Sequence, residues 1–414
     1  MSDAPATLET TRGDRAVRRR TVFYIPGFDP FHPRRYRELY RKEGAAQAAI
    51  AGYELRQAQL PGSGGVGWTV QADIEGERTE AEIRVLVWAD IVKASMGTGI
   101  ARTYLDLCRT AWTYIASGAL GRLMRLRKGP VIAALYPVAV LLGQLLIACA
   151  VAAGIGALLS LAAAPLAWLG ILAMPPVLMW FRSHDNRIFA YYLMHDYAFT
   201  AQYRGANPPA LEARMAGFRE AIEEALRGDA DEVLVVGHSS GAHIGVSVLA
   251  DLVRGGGAGP EGPALSFLSL GQVIPMVSFL PDAERLREDL RCLSQQGDIA
   301  WIDVTAPGDG CAFALCDPVA VSGVAGSGKR WPLVLSAAFT QTLSPERWSA
   351  LRWRFFRLHF QYLCAFDRPG DYDYFRITAG PRTLAARFAH RAPSASRIET
   401  PVSPHVRRRD PQIA

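Results

Sequence analysis

Apolar and polar positions along the chain alternate in strand and helix patterns arranged around one long apolar block. Residues 21–25 (T-V-F-Y-I) form a short buried-strand pattern stopped by Pro26 and Gly27, and a helical pattern follows over 34–51. Residues 66–74 and 80–92 read as extended, and 100–127 as helical, leading into the block. Beyond it, Leu211, Met215, Phe218, Ile222 and Leu226 recur at helical spacing on a charged background that ends at Gly228. Residues 232–236 (E-V-L-V-V) then give a run that is apolar on both faces, which suits a central parallel strand. A helix from 240 to about 254, strands at 265–270 and 299–305, and an amphipathic helix at 282–296 complete the pattern. This alternation predicts an α/β protein with a mostly parallel sheet flanked by helices.

The block itself runs from Val131 to Phe181, 51 residues without one Asp, Glu, Lys, Arg or His. A single helix of that length would measure about 75 Å at 1.5 Å per residue, more than twice the roughly 30 Å of a bilayer's hydrocarbon layer. The expectation is therefore a hairpin of two transmembrane helices, near 131–152 and 159–181, turning around Gly154–Ser160. Tyr136 and Trp180 sit near its outer ends, where amphipathic aromatics are favoured. A buried hairpin in a soluble core would carry a polar stripe, and here Gln144 and Ser160 are almost the only polar side chains. Arg122, Arg125, Arg127 and Lys128 precede the hairpin and Arg182 and Arg187 follow it, so the positive-inside rule puts both ends in the cytoplasm. An even number of spans lets the flanking segments fold together on one side.

Composition narrows the picture further. With 50% hydrophobic and 20% charged residues the chain belongs with folded proteins rather than disordered ones. The net charge of +6 is concentrated at Arg18–Arg20, at 122–128 and at Arg407–Arg409, with no basic face interleaved with aromatics, so nucleic acid is not an expected partner. Six scattered cysteines without a C-x-x-C pair give no zinc or redox motif, and no cofactor or metal is expected. The first 20 residues are polar and arginine-rich, without the apolar core of a signal peptide. Gly323–Arg330 imitates a phosphate-binding loop. However, Arg330 occupies the position of the metal-binding hydroxyl, and Trp331-Pro332 follow where a helix should start.

Chemistry concentrates at Gly237-His238-Ser239-Ser240-Gly241. The pentapeptide G-x-S-x-G is a weak signal alone, but here an apolar strand runs directly into Gly237 and a helix starts after Ser239. That setting requires Gly237 and Gly241, because side chains two positions either side of the serine would collide with neighbouring strands. The bland reading is a close strand-to-helix packing with Ser239 as an ordinary helix cap. With G-H-S-x-G in this context the chain resembles the α/β-hydrolase superfamily, in particular its lipase and esterase branch, over most of residues 20–365 outside the hairpin.

The resemblance implies a serine nucleophile followed in chain order by an acid and a histidine. Asp309, on the loop after the 299–305 strand, is the expected acid, with Asp317 the alternative. Of the three histidines beyond Asp309, His390 and His405 lie in a basic tail, which leaves His359 as the expected base. The family's oxyanion hole implies backbone N–H donors from Ser240 and from Phe28 in the loop Tyr24–Pro30. The expected organisation is a disordered basic segment over 1–20, a hydrolase domain split into 21–128 and 183–380, the membrane hairpin at 129–182, and a disordered basic tail over 381–414. The resemblance implies hydrolysis of an ester-like, lipid or acyl substrate at a membrane surface. The alternative is an inactive scaffold that keeps the fold.

Overall fold

A computed structural model describes residues 16–62, 66–97, 99–257 and 262–409. Eight strands form one sheet: β1 (Arg19–Ile25), β2 (Glu54–Gln59), β3 (Gly67–Ile74), β4 (Glu77–Val85), β5 (Glu232–His238), β6 (Ala264–Leu270), β7 (Ile299–Thr305) and β8 (Leu333–Ser336). Their order across the sheet is β2-β3-β4-β1-β5-β6-β7-β8. Strands β4, β1, β5, β6, β7 and β8 run parallel, while β2, β3 and β4 pair antiparallel along one edge. The central strands are the ones whose sequence is apolar on both faces. Every residue of β5 and β7 is buried, as a sheet flanked by helices on parallel crossovers demands. The helix Gly241–Arg254 follows β5 directly and packs against the helices Pro209–Leu226 and Glu284–Ser294.

At the amino end of the central strands lies a buried ion pair. Arg20 Nε donates to Glu232 Oε2 at 2.7 Å, and both side chains are almost wholly buried. Ser266 Oγ and the Leu384 backbone N–H each donate to Glu232 Oε1 at 2.7 Å, and Arg20 Nη1 donates to the Gly380 carbonyl. Opposite charges removed from water persist where their remaining hydrogen-bonding capacity is met, and here β6 and the segment 380–384 meet it.

Several sequence expectations need correction. The second extended stretch stops at Val85, and Ala89–Ser95 is a helix. The apolar block does hold two helices long and apolar enough to cross a membrane, Lys128–Ser160 and Ala164–Ser183, the second opening as a 3-10 helix. The turn, however, falls at 161–163 rather than at Gly154–Ser160. Gly156 does not break the helix because it is where the two helices touch: a Cβ there would lie 2.6 Å from the Ala167 carbonyl oxygen. Only 17% and 11% of the two most apolar windows are buried, and Trp168 is 81% exposed. The terminal segments also depart from expectation. Residues 1–15 lie outside the described residues, and β1 already begins at Arg19, inside the segment expected to be disordered. Residues 381–409 pack on the body. Leu384 and Phe388 are buried, Ile398 bridges to Cys316, and the Arg407 carbonyl accepts from Arg287 Nε. This segment has no core of its own and borrows that of the sheet.

Candidate functional site

The carboxyl ends of the parallel strands bring the predicted residues together, at the place where open α/β sheets bind their ligands. Ser239 follows β5 and has φ +56°, the left-handed region that a residue with a side chain seldom occupies. Its N–H donates to the Leu270 carbonyl at 2.9 Å, which pins the turn to the end of β6. Only glycine fits on either side. A Cβ at Gly237 would lie 2.7 Å from the Gly241 carbonyl oxygen, and one at Gly241 would run into the Ile25 carbonyl at the end of β1.

The loop after β1 passes directly over the serine. A Cβ on Gly27 would sit 2.9 Å from Ser239 Cβ and 3.4 Å from its Oγ. Gly27, Phe28, Ser239, Ser240 and His359 all line one cavity of about 890 Å³. Neither the Phe28 nor the Ser240 backbone N–H is engaged by another protein group among the described residues. Phe28 is held from behind, because Tyr192 donates its hydroxyl hydrogen to the Phe28 carbonyl.

Asp309, on the loop after β7, is 2% exposed and accepts three hydrogen bonds. His359 Nδ1–H donates to Oδ2 at 2.7 Å, the Tyr362 hydroxyl to the same oxygen at 3.0 Å, and the Cys311 backbone N–H to Oδ1 at 2.9 Å. Tyr362 is fixed in turn by accepting the Ala306 N–H at 3.0 Å. His359 ends the short helix Phe355–His359. Its carbonyl accepts from His238 Nε2–H at 2.9 Å, and the two rings lie 4.8 Å apart between centroids. Burial, then the adjacent His359, pushes His238 down to about 3, so its imidazole is neutral and supports the turn. Among the described residues the Ser239 hydroxyl makes no hydrogen bond, to the imidazole or to any other group. Contacts of this kind are often long before substrate arrives.

The alternative acid, Asp317, caps the helix Pro318–Val321 and pairs with Lys329 Nζ at 2.6 Å. The same ion pair accounts for the lysine of the phosphate-loop imitation. His243 is buried on the helix behind the serine, and burial pushes it down to about 4. Asp303 is enclosed within β7, accepting from Ser269 Oγ at 2.6 Å, and burial pushes it up to about 8.

Sequence reasoning missed two members of this cluster, Tyr362 and Asp196. Asp196 stands on the helix Ala190–Gln202, lines the cavity with Ser239 and His359, and has no hydrogen-bond partner among the described residues. Burial pushes its carboxyl from 3.8 up to about 7, with His359 pulling it partly back. No motif marks it. An acid in a helix that is otherwise largely apolar or aromatic (A-Y-Y-L-M-H-D-Y-A-F) is the only signal available.

Asp309, Cys311 and His359 also place possible metal-ligating atoms within 4.8 Å of one another. That donor set suits a metal poorly. Asp309 and His359 are spent on each other, and burial pushes the Cys311 thiol well above the ordinary thiol range, away from the thiolate a metal needs. Comparison with protein-family models, with curated proteins and with solved structures returns no match for the chain.

Proposed function

We propose that the protein is a membrane-anchored serine hydrolase of the α/β-hydrolase type. One observation carries this reading. A serine in left-handed backbone at the carboxyl end of β5 opens into the same cavity as a histidine already hydrogen-bonded to a buried carboxylate. Strained backbone at such a place is expected where a side chain must be presented to a reacting group. Ser239 attacks the acyl carbon as His359 takes its proton, and Asp309 holds the imidazole in the required tautomer and stabilises its charged form. The free N–H groups of Phe28 and Ser240 receive the developing oxyanion. Water then cleaves the acyl-enzyme, with His359 as base. The Lys128–Ser160 and Ala164–Ser183 helices span the bilayer, and the basic residues at both ends keep the sheet on the cytoplasmic side.

The rival reading, a scaffold without activity, draws on the missing hydrogen bond between Ser239 and His359. A fluorophosphonate probe on the purified full-length protein decides between them. We expect covalent labelling that Ser239→Ala abolishes. An unlabelled wild type would overturn the hydrolase reading, and labelling that survives Ser239→Ala would overturn the assignment of the nucleophile.

A further inference from the structure

The wall of the cavity joins three things that the reaction alone does not require. The first is the base of the hairpin: Pro130, at the start of the first apolar helix, lines the cavity, as do Asp185 and Phe189, just after the second. The second is an aromatic contact that joins that base to the helix carrying the histidine. Phe189 packs tilted and Tyr192 edge-on against Phe356, with ring centroids 5.1 and 5.9 Å apart, and Phe356 belongs to the helix that ends in His359.

The third is charge. Arg35, Lys42, Arg347, Arg354 and Arg357 all line the cavity. Three of them have acidic partners within the protein: Arg35 pairs with Asp29, while Lys42 and Arg347 share Glu43. Arg354 and Arg357 make no side-chain ion pair or hydrogen bond among the described residues, and both are exposed. The acids of the same wall leave them unopposed. Asp185 accepts the Tyr191 and Tyr192 N–H groups, and Asp196 faces His359 with no guanidinium beside it. Met96, Leu193, Val273, Met276 and Val277 meanwhile supply apolar lining.

We infer that the cavity takes a membrane-resident acyl ester with a net anionic headgroup, gripped at the cavity wall by Arg354 and Arg357 while its acyl carbonyl lies at Ser239. This inference rests on the serine-hydrolase reading and adds the substrate class to it. A cavity walled by both hairpin roots admits a lipid from the bilayer edge without carrying its chains through water, which would cost about 0.8 kcal/mol per methylene. Two guanidinium groups without an acidic partner favour a headgroup whose phosphate charge is left unopposed over a zwitterion whose own cation offsets the same phosphate. In the reaction Ser239 Oγ bonds to the carbonyl carbon, the ester C–O bond breaks, and His359 returns the proton to the leaving alcohol oxygen. Water then releases the free fatty acid and restores the serine.

The test presents the full-length protein, in micelles of a neutral detergent, with trace phosphatidylglycerol or phosphatidylcholine carrying identical acyl chains. Keeping both lipids at trace level holds the surface charge constant, so general adsorption to anionic surfaces is not read as headgroup selection. We expect phosphatidylglycerol to be hydrolysed with a kcat/KM roughly tenfold higher or more, about the effect of one charge-assisted hydrogen bond. The preference should shrink as salt rises and be lost in the double variant Arg354→Gln, Arg357→Gln. Equal rates on the two lipids in the wild type overturn the inference whatever the variant does, and so does a preference that survives the double substitution. Labelling of Ser239 by the fluorophosphonate without hydrolysis of either lipid overturns the substrate class alone, whereas absence of both overturns the hydrolase reading beneath it.

Discussion

Asp309 shows how much of the site rests on single side chains. Its carboxylate is held by an imidazole, a phenol and a backbone N–H, and the phenol of Tyr362 is itself anchored by Ala306. A hydrogen bond to a charged group contributes about 1.5–3 kcal/mol. Tyr362→Phe is therefore expected to lower kcat/KM roughly ten- to hundredfold while KM stays near the wild-type value. A change confined to KM would mean that Tyr362 does not position the acid. Asp196 gives a pH signature. In the unfolded chain its carboxyl ionises near 3.8, in the folded protein near 7, so folding stability contributed by the protonated form is lost as pH rises across that window and is level above it. Thermal melts should show Asp196→Asn gaining on the wild type between those limits, with the gap constant at higher pH. A parallel gap at every pH would deny the shift. The groups that feel this charge are His359, Cys311, Tyr114, Tyr192 and Tyr197. Ser239, Asp309 and His359 are legible in the sequence because a short motif and chain order single them out. Tyr362 and Asp196 are not, because their surroundings are assembled from segments far apart in the chain.

Among the elements, the central strands are the most legible, since burial on both faces leaves an unbroken apolar run. The edge strand β2 (E-L-R-Q-A-Q) escapes notice for the opposite reason. Its side chains are largely exposed, and nothing in their alternation separates it from a loop. β8 has four residues, too few for any period to register. The misplaced hairpin turn follows from reading Gly154 and Gly156 as a break, when Gly156 serves close helix contact. The C-terminal segment looks disordered because its composition is polar and basic, yet it is tied to the sheet at Glu232, whose Oε1 receives the Leu384 N–H. Glu232→Ala leaves Arg20 buried without its partner and is expected to destabilise the protein by about 3–5 kcal/mol, read from urea unfolding. It should also open the segment beyond 380 to protease before the sheet. A loss below about 1 kcal/mol, the range of exposed pairs, would show that this ion pair does little for stability.

For the molecule as a whole, the proposed reading makes the hairpin decide where the chemistry takes place. Cys149 lies within the Lys128–Ser160 helix and Cys108 on the helix Ile100–Ala116, and both are exposed to whatever surrounds the protein. In open membrane fragments a charged maleimide should therefore label Cys108 and spare Cys149. Equal labelling of the two would put the hairpin outside the bilayer. The ion pair between Arg20 and Glu232 has one more consequence, concerning the order of events at the ribosome. Its partners are 212 residues apart, with both apolar helices made in the interval. Strand β1 leaves the exit tunnel with no parallel neighbour on its β5 side, and at roughly 5–20 residues per second that neighbour is ten seconds or more behind it. On the proposed membrane-anchored reading, the insertion machinery meets the hairpin while the centre of the sheet is still open. On that reading the nascent chain is moored first and closed afterwards.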